Sequence, residues 1–298
     1  MTYSIVARDP GTGRFGVAVQ SHYLGVGATV PWLEAGVGAI ATQASVNVSF
    51  GPMGLEMLRA GQAADAVVAA LVAGDEQAHI RQLGIVDSQG RAAAHTGADC
   101  IPACGHLVGD GFTVQGNLLE RSSCWPAMAA AYESALAEEA PFVERLLRAM
   151  EAAEAEGGDV RGRQSASIMV VRADLQPAVW RGRLMDLRIE DHADPVPELR
   201  RIVTMQLAYD LLDEEGDAAV AGRSTSERYE LARRMSPDAY ELVFWRGVEL
   251  ATAGDVEAGR RELQIAFEAD ARWRTTLQHL ADAGREGVTA ELAASLLG

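Results

Sequence analysis

The sequence predicts an α+β fold in which strands pair antiparallel and helices are inserted between the pairs. Three observations carry this. Short strand-like runs joined by glycine turns fill the chain to about residue 120, helical stretches come two at a time, and beyond residue 197 only helical periodicity remains. A doubly wound parallel sheet needs strands and helices to alternate singly, and they do not.

The first strands are expected over residues 5–7 and 15–19. Between them, Pro10, Gly11 and Gly13 of DPGTG supply the backbone angles of a tight turn, so the two runs make a hairpin. A third run covers residues 37–42. SFGPMGLEMLRAG opens a helix around Ser49 and Pro52 and closes it at Gly61, and ADAVVAALVAG ends a second helix at Gly74. Residues 83–86 and 92–95 form another hairpin, punctuated by Gly90. CWPAMAAAYESALAEEA and PFVERLLRAMEAAEAEGGD read as two more helices, the second begun by Pro141 and stopped by Gly157 and Gly158. Strand signals return in SASIMVVRAD, PAVWRG and MDLRIED.

Pro195 and Pro197 mark a boundary, which predicts one domain over residues 1–197 and a helical region over residues 198–298. In the helical region, segments that begin Gly-Asp at Gly216 and Gly254 lie 38 residues apart. That is about one tetratricopeptide-like helical hairpin with a small insertion, and FWRGVELATAGD suits its first helix. So few units do not make a free-standing solenoid, so the tail is expected to pack on the main domain or on another subunit, with a protein partner for the helices and a homo-oligomer as corollaries.

Composition narrows the function. A net charge of -16 repels nucleic-acid backbones and anionic membranes. Each of the 26 basic residues is arginine, so chemistry that needs a lysine, such as a Schiff base or a phosphate-loop lysine, is excluded. Three cysteines, Cys100, Cys104 and Cys124, suit a reducing compartment. Cys100 and Cys104 with His95 and His106 offer a zinc alternative, but half of a metal site is missing and buried thiols are the preferred reading. With no charged leader and no apolar run of spanning length, the expectation is a cytoplasmic protein.

The most economical chemistry lies at Thr2. With Met1 removed, one residue carries a hydroxyl nucleophile and an α-amine whose ordinary pKa is about 8, so nucleophile and base come together. VQSHY places Gln20, Ser21, His22 and Tyr23 at the end of a strand, and ATQASVNVSFG places Thr42, Gln43, Ser45 and Asn47 between a strand and a helix start. Backbone amides at such a junction can hold an oxyanion, or the side chains can simply be caps. AAAHTG and VQGNLL end β-like runs with His95, Gln115 and Asn117 beside Gly97 and Gly116. GGDVRGRQS gathers Asp159, Arg161, Arg163 and Gln164 in a glycine loop suited to a carboxylate or phosphate, against the alternative of a solvated turn with an internal ion pair. EDHADP carries Glu190, Asp191, His192 and Asp194, which offer a hard-cation site or, as is common after strands, simply an acidic turn.

Taken together, TYSIVARDP, FGVAVQSH, GVGAIATQA, GPMGLEMLRAG, AAAHTG, GHLVGDGFTVQGNLL, GGDVRGRQSA and DLRIEDH resemble a bacterial family known as domain of unknown function 1028, over roughly residues 1–200. The resemblance implies an N-terminal-nucleophile-hydrolase-like fold, a four-layer αββα sandwich of two antiparallel sheets with helices outside. The opening is similar, more distantly, to proteasome subunits. By that similarity Thr2 matches the nucleophile and Gln20 or Ser21 falls near the acidic partner. Neither is acidic, and no lysine exists to assist, so activation is left to the amine, to His22 or His95, or to ordered water.

The expected function is therefore hydrolysis of a small amide or cyclic amide without cofactor or metal. Thr2 attacks, Gln43 and Asn117 mark the oxyanion site, and Ser21, His22, Thr42, Asn47, His95, Gln115, Arg163, Asp191 and His192 shape the pocket. Two alternatives stand beside it: a cyclohydrolase-like enzyme on the same fold that uses internal His, Asp and Arg groups, and a ligand-binding or assembly protein without chemistry.

Overall fold

The computed structural model describes residues 2–212 and 223–298. The chain divides into two compact units, one up to Arg200 and the other from Arg201.

The first unit is mixed α+β with two antiparallel sheets. The larger is built from β1 (Thr2–Arg8), β2 (Phe15–Ser21), β7 (Gly105–Gly109), β8 (Phe112–Asn117), β9 (Ser165–Val171) and β10 (Arg183–Ile189), in the order β10-β9-β2-β1-β8-β7. The smaller is a meander of β3 (Pro31–Glu34), β4 (Gly38–Ala44), β5 (Arg81–Asp87) and β6 (Ala92–Thr96). Helices α1 (Phe50–Arg59) and α2 (Ala64–Ala73) pack on the smaller sheet, where Phe50, Leu55, Leu58, Val67 and Leu71 meet Ile40, Leu83 and Ile85. Helices α3 (Cys124–Ala137) and α4 (Phe142–Ala155) serve the larger sheet, with Tyr132 of α3 against Phe112 at 4.7 Å between ring centroids.

Period-2 alternation explains which side chains meet between the sheets. Val17 and Val19 of β2 and Val6 of β1 join Ala39 and Ala41 of β4 and Val86 of β5 in one apolar cluster. The same inward faces continue as Thr2 and Ser4, Ser21, Gln43, Gln82, and Thr113, Gln115 and Asn117, all buried. The interior is thus apolar along most of the strands and polar toward the end where β1 begins.

Two strand expectations need correction. PAVWRG is a single 3-10 turn, Val179–Gly182, because β10 takes the place beside β9 from Arg183 onward and leaves that run no partner; Trp180 is accordingly 75% exposed. PWLE is a strand that the sequence pattern did not announce, a short edge strand begun by proline, where an absent N–H is harmless. Pro195 and Pro197 open helix α5 (Pro195–Asp210), since proline suits a helix's first turn, and the division between the two units falls within it at Arg200–Arg201.

An ion pair fastens the first hairpin to α4. Asp9, buried in the turn after β1, accepts from Thr12 Oγ1 and from Arg145 Nη1 (2.8 Å). Burial works against its charge, but the Thr12 and Arg145 hydrogen bonds prevail and hold the carboxyl below its usual range. A depressed folded-state pKa contributes stability above the unfolded value of about 3.9 that disappears as pH falls through the folded one. Asp9→Asn should therefore lower stability by roughly 2 kcal/mol at pH 7, with the difference from wild type shrinking below about pH 4 in urea titrations.

The second unit is helical. It contains α6 (Thr225–Met235), α7 (Tyr240–Thr252), α8 (Val256–Ala269), α9 (Arg272–Ala283) and α10 (Ala290–Leu297). A capping box of Ser224 and Glu227 starts α6. The repeat start expected at Gly216 lies outside the described residues. The second Gly-Asp holds: Gly254 turns the chain with φ +103° and Asp255 caps α8 by accepting from the Ala258 amide at 3.0 Å. Helices α7 and α8 approach through glycines, for a Cβ on Gly259 would lie 2.6 Å from Gly247 O and 2.7 Å from Ala251 Cβ. Gly259→Val should destabilise this unit by about 1–3 kcal/mol, read as an earlier loss of helical circular dichroism on heating.

Candidate functional site

The polar end of the sheet interior is built around the first residue of β1. Thr2 Oγ1 donates to Ser21 Oγ at 3.1 Å, across the β1–β2 pair. On its other side Thr2 pairs with Asn117 of β8. The Thr2 carbonyl accepts from Gln43 Nε2 (3.3 Å) and Asn117 Nδ2 (3.4 Å), so two side-chain amides from two sheets hold its peptide. Fixing that carbonyl fixes the backbone that aims Oγ1 at Ser21.

Behind Thr2 stands Gln82, fully buried, which no strand end or turn marks in the sequence. Its Oε1 accepts from Gln43 Nε2 and from Asn117 Nδ2, both at 2.8 Å. Its Nε2 faces Gly116 O (2.8 Å), Thr96 Oγ1 (2.9 Å) and Gly105 O (3.1 Å). Ser4 Oγ donates to Gln43 Oε1 (2.6 Å) and accepts from Gln115 Nε2 (2.7 Å). Gly84 of β5 leaves room for this layer, since a Cβ there would sit 2.3 Å from both Gln115 Oε1 and Thr113 Oγ1. These bonds run among uncharged groups, which a low-dielectric interior accommodates at far lower cost than charges, and two atoms of the layer, Gln115 Oε1 and Thr113 Oγ1, are buried without a hydrogen-bond partner.

Thr2, Ser21, Gln43, Gln115 and Asn117 are thus brought into one network. The hydrogens of the Gln43 and Asn117 amides are engaged by Thr2 O and Gln82 Oε1, which makes both residues holders of Thr2 rather than donors facing open space. Ser21, not Gln20, faces the Thr2 hydroxyl: Gln20 pairs with Tyr3, and alternation turns that pair toward the helices, where Tyr3 OH donates to Glu154 of α4. Burial and then the Glu154 charge push the Tyr3 hydroxyl well above its ordinary pKa, so it stays a donor.

His22, just past Ser21, donates its backbone N–H to Asp159 Oδ2 at 3.0 Å, and its ring Nδ1 lies 3.3 Å from Arg163 O. Asp159 is held by Arg161 at 2.9 Å. Arg163 pairs with Glu154 and, at 2.7 Å, with Asp194. Asp191 accepts from Gln164 Nε2 (3.2 Å), and His192 Nδ1 accepts from the Asp194 amide (3.0 Å). These loops border the Thr2 network.

The remaining candidates make other contacts, with only His106 reaching the network, through Thr96. Thr42 Oγ1 donates to Asn47 O (3.1 Å), and Asn47 Nδ2 donates to Asp75, whose carboxyl the Arg81 hydrogen bond, chiefly, holds down at about 2. His95 Nε2 meets Ala78 O at 2.9 Å. His106 Nδ1 is 2.8 Å from Thr96 Oγ1, and burial and then His95 lower its pKa. Cys104 Sγ donates to Cys100 O and Cys100 Sγ to Arg81 O, each at 3.3 Å. Among the described residues no group of three or more His, Cys, Asp or Glu could hold a metal ion. No described helix is long and apolar enough to cross a membrane.

The sequence carries a signal for this layer. Thr2 and Ser4, Thr113, Gln115 and Asn117, and Gln82 beside Gly84 are polar residues repeating at period 2 within otherwise apolar strands. That alternation marks an interior polar stripe.

The two sheets and the polar stripe between them define a mixed α+β protein with an uncharged buried site at a strand start. The chain belongs to the family of unknown function DUF1028, whose model matches residues 2–199. A crystal structure of a DUF1028 protein from Silicibacter pomeroyi is similar to it, with 29% sequence identity, a TM-score of 0.61, and coverage of 76% of this chain and 97% of that one. No curated protein matches the chain.

Proposed function

We propose that the first unit is an amidohydrolase of the N-terminal nucleophile type. The observation that carries this is the setting of Thr2: first in a central strand, its hydroxyl bonded to Ser21 and its carbonyl held by Gln43 and Asn117. Helices on the outer side of each of two antiparallel sheets support the αββα reading of the fold. With Met1 removed, the Thr2 amine takes the hydroxyl proton as Oγ1 bonds to the amide carbonyl carbon. The amine then returns that proton to the leaving nitrogen as the C–N bond breaks, leaving an ester on Thr2. Water, deprotonated by the same amine, attacks the ester and frees the acid and the threonine hydroxyl. Ser21, Gln43 and Asn117 are positioning residues, and the chemistry needs no cofactor. The test is amide hydrolysis by protein whose intact mass shows Thr2 first, compared with Thr2→Ala.

We read the helical unit as tetratricopeptide-like, supported by the short turn and the glycine contact between α7 and α8. A protein partner is the occupant expected of such a tail.

A further inference from the structure

We propose that the amide taken by this site is neutral and carries an apolar substituent, which lies on a shelf formed just beyond Thr2; this rests on the Thr2 reading above. Strand β1 begins at Thr2, between Asn117 and Ser21, and the segments immediately past those two neighbours, at Leu118 and His22, are both hydrogen-bonded to the Asp159–Val160 segment. Ile101 O accepts from Leu118 N at 2.9 Å, and Leu118 O accepts from Val160 N at 3.3 Å. His22 N reaches Asp159 beside Val160, which brings Tyr23 to the far side. Ile101, Leu118 and Val160 are therefore joined in a row by hydrogen bonds, with Tyr23 one residue past the His22–Asp159 link, and three of these four residues are exposed: Ile101 by 53%, Val160 by 49% and Tyr23 by 57%. Single exposed apolar residues mean little, but several in adjacent segments at the mouth of a polar site form a patch that a ligand can cover.

Charge selects against the anionic ligand that the glycine loop suggested. Arg161 is already paired with Asp159, and Arg163 with both Glu154 and Asp194. A carboxylate on the substrate would have to displace these bonds and enter a protein of net charge -16. An alkyl or aryl group meets no such opposition and gains by covering the shelf.

The test is calorimetric titration of the Thr2→Ala protein with butanamide, hexanamide and octanamide, and with adipamate, in which a hexanamide chain ends in a carboxylate. Affinity should rise about two- to fourfold per methylene, and so by more than about tenfold from butanamide to octanamide, with adipamate weaker than hexanamide. Ile101→Ser with Val160→Ser, both exposed positions, should flatten that rise. Equal affinity along the series, tighter binding of adipamate, or no binding of any amide overturns the proposal. Wild-type protein separates the two ideas: turnover without chain-length dependence removes the shelf and leaves the nucleophile, whereas a chain-length gain in binding without any turnover removes the nucleophile and leaves the shelf.

Discussion

Gln82→Ala should cost about 3–5 kcal/mol of stability and lower the melting temperature of the first unit by about 10 °C. The side chain is fully buried, and its oxygen is the shared acceptor of the Gln43 and Asn117 amides. Truncation removes core volume and also leaves the Gly116 carbonyl, bonded to Gln82 at 2.8 Å, without that donor. Each buried group so stranded adds about 1–3 kcal/mol unless water enters. Gln82→Glu provides an internal check. A carboxylate still accepts from both amides but donates nothing, and burial raises its pKa above the unfolded value of about 4.3. Folding then favours the protonated form, so this variant should approach wild-type stability below about pH 4 and lose ground as pH rises through the raised value. Thermal melts at pH 4 and pH 8 decide the matter: a shift of less than about 3 °C for Gln82→Ala at either pH sinks the view that Gln82 organises the site.

Much of the architecture was legible because it depends on local chemistry. The DPGTG turn, the helix stop at Gly61 and the return of strands at SASIMVV follow from backbone angles and period-2 burial, and the structure contains each. What failed failed through tertiary context. PAVWRG has strand composition but no free strand to pair with, while PWLE is too short to show a period yet is completed by β4. Pro195 and Pro197 open a helix within which the division between the two units falls, at Arg200–Arg201, and spacing alone does not show that the helix runs across it.

The members of the buried polar network were legible more than their partners. Thr2, Ser21, Gln43, Gln115 and Asn117 could be named from strand ends, but Gln82 sits one residue inside β5, after an arginine, and only the facing sheet reveals why a glutamine is needed there. His95 and Asn47 were drawn in by chemical type. In the structure their bonds go to Ala78 O, 17 residues before His95, and to Asp75, 28 residues after Asn47, so both side chains tie separate loops together rather than contacting Thr2 or its partners. The Arg163 loop was visible as a cluster of charges, yet sequence could not show that its arginines are already answered by Asp159, Glu154 and Asp194.

The largest kinetic effect is expected at Thr2. In protein whose mass shows that Met1 is absent, Thr2→Ala should reduce kcat/KM for a hydrolysed amide by at least about a thousandfold, since it removes the attacking oxygen while keeping the amine, and the neighbouring Ser21 hydroxyl, 3.1 Å from Thr2 Oγ1, sits on another strand. Thr2→Ser keeps both groups and should retain activity within about tenfold. Ser21→Ala leaves the amine and Oγ1 in place but removes the 3.1 Å contact that orients the hydroxyl, so a loss of about tenfold, mainly in kcat, is expected. The pH profile carries the mechanism further. An amine acts as base only when unprotonated, so activity should climb with pH toward a plateau governed by a group of pKa about 8, and acetylating that amine should abolish it in parallel with Thr2→Ala. Wild-type activity in protein that retains Met1, or equal rates for Thr2→Ala and wild type, would assign the chemistry to internal groups and leave Thr2 as the polar end of a strand.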